Sequence, residues 1–264
     1  MKIAIIGTGN LGYSIAIGIL SQSNFKFKNL YLTKRNIESL SSWENLKNVT
    51  ISTDNKEAIR QSDVVIITVQ PIQLQGVLEE IKEVIDINKH TIISTVTGRK
   101  IQDIESVLGN DIAIIRAMPN TAISVGQSMT CISANKKGKE NIDLAKTIFD
   151  SLGTTLYIEE KLMQSATVIC ASGIAFWMRL IRATAQGAVQ LGFDAKEAQE
   201  LAMQTCLGAA SLLVKSGNHP EQEIDKVTTP NGCTITGLNE MEHQGLSSSL
   251  IQGLVASFEK INQI

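Results

Sequence analysis

The stretch that decides the fold is KIAIIGTGNLG, residues 2–12. Residues 2–6 form an apolar run that is typical of a buried strand, and the residues after the glycines follow a helical pattern. Gly7 permits a tight turn, Gly9 lets the backbone approach a pyrophosphate, and Gly12 lets the helix pack closely on the strand. The helix N-terminus adds free N–H groups and a positive dipole end. The motif therefore predicts a dinucleotide site. A glycine-rich turn without a ligand is the less favoured interpretation.

Apolar runs and helical patterns alternate over the first 158 residues. Continuous runs such as Val64-Val65-Ile66-Ile67 are typical of strands covered on both faces, as in parallel sheets. This alternation predicts an α/β fold with an N-terminal Rossmann-type doubly wound sheet. The predicted strands lie near 2–6, 28–33, 48–52, 63–69, 91–95, 112–117, 127–132 and 154–158. Helices predicted between them include Leu11–Ser21, Ile72–Ile85 and Glu140–Leu152.

The strand pattern stops after Ile158, so we expect a first domain of residues 1–158 and an all-helical domain of residues 159–264. A helix predicted over 159–191 is about 50 Å long at roughly 1.5 Å per residue. The small second domain cannot cover such a helix alone, which predicts packing against a second subunit. The further predicted helices run from Asp194 to Gly217, Glu221–Val227, Thr234–His243 and Ser247–Ile261.

Charge and composition exclude several classes of protein. The formal net charge of -2 offers no basic field for nucleic acid or an anionic membrane. The most apolar stretch, Ala166–Met178, is shorter than the roughly 20 residues that span a bilayer. The cysteines at 131, 170, 206 and 233 are far apart and the histidines are few. We therefore expect a cytoplasmic protein without a metal site.

The end of the second strand selects the cofactor. An NAD-dependent enzyme places Asp or Glu there to bind the ribose 2′-hydroxyl. This chain instead has Thr33-Lys34-Arg35-Asn36. An arginine binds a 2′-phosphate through its planar fork, whereas an acid would repel the phosphate. The segment predicts NADPH as the cofactor, with NADH accepted more weakly. A solvated loop with ordinary charges is the alternative.

A second candidate site is the turn Thr228-Thr229-Pro230-Asn231-Gly232-Cys233-Thr234-Ile235. Pro230 and Gly232 mark a turn, and a helix is predicted to begin at Cys233 or Thr234. Such a turn presents unpaired N–H groups, which suit a small carboxylate. The residues alone are equally consistent with a helix cap that binds no ligand.

Several segments resemble the pyrroline-5-carboxylate reductase family, in the family's order and across the whole chain. They are Arg116-Ala117-Met118-Pro119-Asn120-Thr121 with Val125-Gly126, residues 202–210 with Gln204-Thr205, His219-Pro220, and residues 228–234 with Gly237-Leu238. The resemblance implies a Rossmann domain, a helical dimerisation domain and a homodimer or higher homo-oligomer. It also implies reduction of a small imino acid, 1-pyrroline-5-carboxylate, to L-proline with NAD(P)H, the last step of proline biosynthesis. No nucleic-acid or membrane partner is expected.

The resemblance also implies roles for individual residues. Thr234 is similar to a threonine whose hydroxyl faces the ring nitrogen and is the predicted catalytic residue, although threonine is a poor general acid and is expected to orient the substrate. Asn55 is similar to an asparagine that contacts the adenosine ribose. The predicted substrate-binding residues are Thr229, Asn231, Gly232, Cys233 and Thr234. The predicted cofactor-binding residues are Gly7, Thr8, Gly9, Asn10, Leu11, Gly12, Thr33, Lys34, Arg35, Asn55, Thr68, Val69, Gln70, Pro71, Thr95, Val96, Thr97, Met118, Pro119 and Asn120.

The chain departs from the family pattern at a few positions. Gln70 replaces a lysine, Ala122 a proline and Asn231 a glycine. Arg182 stands where an acid is common. Residues 170–176 read CASGIAF where the family reads Ser-Gly-Ser-Gly-Pro-Ala-Tyr.

These departures leave two alternatives open. One is an NADPH-dependent reductase of a different cyclic imine or of a 3-hydroxy acid. The β-hydroxyacid dehydrogenases, however, place a catalytic Lys-x-x-Asn on the crossing helix, where this chain has Lys161-Leu162-Met163-Gln164. The other alternative is a non-catalytic relative that binds NADPH without turnover.

Overall fold

The structure is a computed structural model that describes residues 1–23 and 25–263. The N-terminal part of the chain forms one eight-stranded sheet. The predicted strands are all confirmed, to within about two residues at either end. The strands are β1 (Lys2–Ile6), β2 (Asn29–Thr33), β3 (Val49–Ser52), β4 (Val64–Ile67), β5 (Thr91–Ser94), β6 (Ala113–Met118), β7 (Ser128–Ala134) and β8 (Gly153–Tyr157).

The strand order is β3-β2-β1-β4-β5-β6-β7-β8, and β1 to β6 are parallel. The order reverses between β1 and β4, and ligands of open α/β sheets bind at the carboxyl ends of strands beside such a reversal. The expectation of a parallel sheet is wrong at β7, which runs antiparallel to β6. The connection from Met118 to Ser128 holds only a 3₁₀ turn, Thr121–Val125, whereas a parallel return needs a long crossover.

The sheet separates two hydrophobic layers. Ile3 and Ile5 of β1 pack into one layer, and Ala4 and Ile6 pack into the other. Neighbouring residues of a strand point to opposite faces, so one apolar run supplies both layers. This arrangement confirms the doubly wound fold. Helices α1 (Asn10–Ser21) and α5 (Ile142–Asp150) cover the first face, and α2 (Asn55–Arg60), α3 (Leu74–Ile81) and α4 (Ile101–Leu108) cover the second.

A buried ion pair connects the sheet to the chain that follows β8. Arg116 of β6 is almost fully buried and donates from Nη1 to Glu160 Oε1 at 3.2 Å. The same carboxylate oxygen accepts the backbone N–H of Ile101, at the start of α4, at 2.6 Å. Burial lowers the pKa of Arg116, and the hydrogen bond that Arg116 donates to Glu160 opposes that shift. Glu160 therefore partners one nitrogen of a buried cation and one N–H at a helix N-terminus, while Arg116 Nε has no partner among the described residues.

The remainder of the described chain is helical. The long helix predicted over 159–191 begins at Met163, after a 3₁₀ turn over Glu160–Leu162, and contains a π-helical turn, Thr167–Ser172. The predicted helix start at Asp194 is confirmed, because its carboxylate accepts the N–H groups of Lys196 and Glu197. The helices are α6 (Met163–Ala166), α7 (Gly173–Gln190), α8 (Ala195–Ser216), α9 (Pro220–Val227), α10 (Cys233–His243) and α11 (Leu246–Ile261).

The chain forms two compact units. The first comprises Met1–Ser172 and the residues from Phe258 onward, and the second comprises Gly173–Ser257. The boundary predicted at residue 158 stays a prediction. Within the second unit, α7 and α8 pack through small side chains such as Ala185 and Ala198.

The second unit leaves many large apolar side chains exposed. Trp177, Leu191, Leu207, Leu212 and Val214 are exposed on or beside α7 and α8. By length and composition alone, one helical segment of the described chain, Glu160–Gln190, is long and apolar enough to cross a membrane. It is longer than the apolar stretch that the sequence analysis considered.

Candidate cofactor and substrate sites

A cavity of about 650 Å³ opens at the carboxyl ends of β1, β2 and β4. It lies in the first unit, where the strand order reverses. The predicted cofactor-binding residues that line it are Gly7, Gly9, Thr33, Lys34, Arg35, Asn55, Thr68, Val69 and Gln70. The fold thus brings the glycine turn and the basic segment after β2 into one cavity.

The three glycines of the turn are required for different reasons. A Cβ on Gly7 would lie 2.5 Å from Val69 Cγ1, and a Cβ on Gly12 would lie 2.5 Å from Thr68 Oγ1. A Cβ on Gly9 would meet nothing closer than a carbonyl oxygen at 3.9 Å, and Gly9 has an ordinary extended backbone. Neither packing nor conformation demands glycine at position 9. The open space in front of it fits the close approach of a pyrophosphate.

The N-terminus of α1 offers donors to an anion. In the described chain, no protein acceptor bonds the backbone N–H groups of Asn10, Leu11 and Gly12, and the first turn has no acidic residue. Thr8 is fully buried, and its hydroxyl likewise lacks a partner among the described residues. Free N–H groups at a helix N-terminus bind phosphate groups. The residues present therefore fit a dinucleotide.

Polar side chains form a chain of hydrogen bonds at the other end of the cavity. The hydroxyl of Thr33 donates to Asn55 Oδ1 at 2.6 Å, and Asn55 Nδ2 donates to Glu80 Oε2 at 3.1 Å. Lys34 donates to Ser39 Oγ at 2.7 Å. Arg35 is exposed and has no hydrogen bond or ion pair to the described protein. Its guanidinium is available for a phosphate.

The other predicted cofactor-binding residues lie outside the cavity lining, although most follow strands that end at the same edge of the sheet. Two of them have their polar groups engaged in protein contacts. Thr95 donates to the carbonyl of Ile67, while Asn120 accepts from Ala122 N and donates to the carbonyl of Cys170. Those outside the lining are Thr8, Asn10, Leu11, Gly12, Pro71, Thr95, Val96, Thr97, Met118, Pro119 and Asn120.

Sequence reasoning missed one wall of the cavity, which is formed mainly by α3. Gly76 lies inside this helix, and a Cβ there would meet nothing within 4 Å. A glycine inside a helical pattern costs about 1 kcal/mol relative to alanine and was the available signal. The lining residues absent from the predicted set are Ile6, Asn36, Thr53, Gln73, Gly76, Val77 and Glu80.

The candidate substrate turn lies in the second unit, between α9 and α10. Asn231 adopts a left-handed conformation with φ of 59°, which asparagine tolerates better than most residues. Gly232 is the N-cap of α10, and a Cβ there would lie 2.5 Å from Thr229 Oγ1. The predicted helix start at Cys233 is confirmed. The hydroxyl of Thr234 makes no hydrogen bond to the described protein, so this side chain is not the helix cap.

Two histidines have local structural positions. His219 is the N-cap of α9, where its Nδ1 accepts the N–H of Glu221 at 3.3 Å. His243 lies in the last turn of α10. Both histidines therefore lie at helix termini. Among the residues that the structure describes, no group of His, Cys, Asp or Glu is placed to hold a metal ion.

The doubly wound sheet, the glycine turn and the cavity at the reversal point define the class of protein: one with a Rossmann domain that binds a dinucleotide. Residues 2–98 match a family model described as NADP oxidoreductase, coenzyme F420-dependent. Residues 160–264 match the model described as pyrroline-5-carboxylate reductase dimerisation.

Comparison with whole proteins gives the family. The chain is 43% identical to pyrroline-5-carboxylate reductase 2 of Dictyostelium discoideum, covering 98% of this chain and 91% of that protein. It is 46% identical to reductase 1 of the same organism over 98% of this chain, but it spans only 49% of that longer protein. The structure of Plasmodium falciparum pyrroline carboxylate reductase with NADP bound has a TM-score of 0.88 and 26% identity, covering 100% of this chain and 97% of that one.

This chain belongs to the pyrroline-5-carboxylate reductase family. It is thus an NAD(P)-dependent oxidoreductase, and the resemblance stated from its sequence is confirmed. The match of the helical region to a dimerisation domain indicates a homo-oligomer.

Proposed function

We propose that the protein reduces 1-pyrroline-5-carboxylate to L-proline with NADPH, the last step of proline biosynthesis. The observation that carries the proposal is the turn before α10. The N–H groups of Cys233, Thr234 and Ile235 have no acceptor in the described chain, and no acidic residue lies in the first turn of the helix. Such a turn suits a small carboxylate, and it occurs in a chain whose relatives are reductases of this imino acid.

The cofactor is held by the first unit in this proposal. The N–H groups at the start of α1 bind the pyrophosphate, with Gly9 leaving room for it. Thr33 and Asn55 bind the adenosine ribose, and Lys34 with Arg35 bind the 2′-phosphate. A preference for NADPH over NADH follows, because only NADPH carries that phosphate. The remaining cofactor-binding residues predicted from the sequence are part of the same proposal.

The substrate turn has two tasks. Its backbone N–H groups bind the carboxylate, and the free hydroxyl of Thr234 hydrogen-bonds the imine nitrogen. When bound, the reduced nicotinamide supplies the hydride that the imine carbon accepts. Holding the reacting groups in position is itself a large part of catalysis. Because a threonine hydroxyl is a poor proton donor at neutral pH, Thr234 orients an imine that enters already protonated.

The assembly and location of the protein belong to the same proposal. We infer a homodimer or a higher homo-oligomer built through the helical region, residues 159–264, with the Rossmann domain over residues 1–158. Four free cysteines support a reducing, cytoplasmic location.

A turnover assay with purified protein tests the function. We expect NADPH to be consumed when 1-pyrroline-5-carboxylate is added, with proline as the product. A six-membered cyclic imine and, in the oxidative direction, a 3-hydroxy acid with NADP serve as comparison substrates. Faster turnover of either comparison substrate would replace the proposed substrate. Binding of NADPH without turnover of any of them would make the protein a non-catalytic relative.

A further inference from the structure

Two cysteines face each other in the first unit. Cys131 lies on β7 and is 3% exposed, and Cys170 lies half-buried in the π-helical turn Thr167–Ser172. Their sulfur atoms are 3.8 Å apart, and both thiols are free. A disulfide has a sulfur–sulfur distance of about 2.05 Å, so the pair needs an approach of about 1.8 Å. Small rotations of two side chains can supply much of this movement.

The surroundings favour a reaction between these two thiols. They belong to a small apolar cluster with Met118 and Met163. The hydrogen bond between the two thiols lowers the pKa of Cys170, while the same bond and burial raise the pKa of Cys131. The thiolate is the reactive form of cysteine. The more accessible Cys170 is therefore the nucleophile, and Cys131 is the neighbouring thiol that completes the disulfide.

We propose that Cys131 and Cys170 form a reversible intramolecular disulfide when the protein meets hydrogen peroxide. The Cys170 thiolate attacks one peroxide oxygen, the O–O bond breaks, and hydroxide leaves to become water. The resulting sulfenic acid is attacked by the Cys131 sulfur, which loses its proton as a second water leaves. Two thiols and one peroxide thus give one disulfide and two waters. A dithiol reductant reverses the step by thiol–disulfide exchange.

The position of the pair gives the disulfide a structural effect. Cys131 is paired with Met118 across β6 and β7, and the carbonyl of Cys170 accepts a hydrogen bond from Asn120 Nδ2 at 3.0 Å. Any backbone movement of Cys170 toward β7 that completes the approach therefore shifts an acceptor of Asn120. Disulfides in cytosolic proteins are usually transient and serve catalysis or redox sensing. This pair is a redox-sensitive modification site beside the segment Met118–Asn120.

Mass spectrometry of the full-length protein, before and after digestion, tests the proposal. Reduced protein, freed of reductant, is treated with stepwise additions of hydrogen peroxide, alkylated under denaturing conditions and digested. We expect a loss of about 2 Da, two alkylated cysteines instead of four, and a peptide that joins Cys131 to Cys170. Dithiothreitol should restore all four thiols.

Three cysteine variants test which thiols form the disulfide. Cys206→Ser should form the disulfide as the wild type does, while Cys170→Ser should form none. Cys131→Ser should stop at a sulfenic acid on Cys170, which dimedone traps. Four alkylated cysteines at every peroxide dose, or a disulfide joining another pair, would overturn the proposal. Because the readout is mass, it is independent of the proposed enzymatic function.

Discussion

At the scale of single residues, motif spacing predicted only part of the cofactor cavity. Gly7, Gly9 and Arg35 stand at fixed positions relative to β1 and β2, so their place in the cavity follows from local sequence. Gly76 and Glu80 reach the same cavity from α3, which the fold brings there over a long sequence separation. No short sequence motif predicts that residues of α3 will line this cavity.

Gly9 offers the sharpest test of the cofactor site. Replacing it with alanine should change the free energy of unfolding by less than about 1 kcal/mol, because the new Cβ meets only the Gly7 carbonyl oxygen, at an unstrained 3.9 Å. The same methyl projects toward the cavity and should weaken NADPH binding at least tenfold, about 1.4 kcal/mol. Denaturant unfolding and fluorescence titration with NADPH measure the two effects.

Gly12→Ala is the matched control. Its Cβ collides with Thr68 Oγ1, so overpacking should lower the stability by about 1–3 kcal/mol. If Gly9→Ala bound NADPH as tightly as the wild type, the open space at Gly9 would not hold the pyrophosphate.

Arg35 should distinguish the two nicotinamide cofactors. Arg35→Ala should weaken NADPH by about 1.5–3 kcal/mol, the range for a lost hydrogen bond to a charged group. NADH should be affected far less, since it lacks the 2′-phosphate. Dissociation constants for both cofactors, measured for the wild type and the variant, give the result. Equal weakening of both would show that Arg35 does not bind the phosphate.

At the scale of elements, hydrophobic periodicity predicted the helices and strands well. It missed the π-helical turn Thr167–Ser172, because one widened turn shifts the apolar pattern too little to be seen in a sequence. It also missed the antiparallel direction of β7, which depends on the length of the connection after Met118. The apolar content of a strand predicts that the strand is buried. Whether two strands pair in parallel or antiparallel depends on the connection between them.

The N-terminus of α10 supports a prediction for Thr234. No side chain caps this helix, and the Thr234 hydroxyl makes no hydrogen bond to the described protein, so Thr234→Ala should leave the stability nearly unchanged. Loss of the hydroxyl should lower kcat by about ten- to a hundredfold, around 1.4–2.7 kcal/mol of barrier. Thr234→Ser should recover most of the rate. Thermal melts and steady-state kinetics on both variants are the measurements. Unchanged kinetics in the alanine variant would remove Thr234 from the active site.

At the scale of the whole molecule, the exposed apolar surface of the second unit predicts assembly. Trp177 is 59% exposed on α7, and tryptophan is enriched among the residues that dominate interface energies. The full-length protein should sediment as a dimer or larger at micromolar concentration. Trp177→Glu should shift it toward the monomer, because an unpaired carboxylate is costly to bury.

Leu46→Glu is the control for that experiment. Leu46 is 43% exposed in the first unit, so a charge there should leave the sedimentation unchanged. A wild-type monomer, or equal effects of both substitutions, would contradict an interface at Trp177.

Because the sheet separates the two hydrophobic layers, a substitution in one layer should change the free energy of unfolding independently of a substitution in the other. Ile66 and Ile67 are neighbours in β4 but pack in different layers, whereas Ile5 and Ile66 share a layer and are paired across β1 and β4. Each Ile→Val change should cost about 0.5–1.5 kcal/mol. In double-mutant cycles, the costs at Ile66 and Ile67 should add to within about 0.5 kcal/mol, while those at Ile5 and Ile66 should couple. Mutations in one layer should therefore leave the stability cost of mutations in the other layer unchanged.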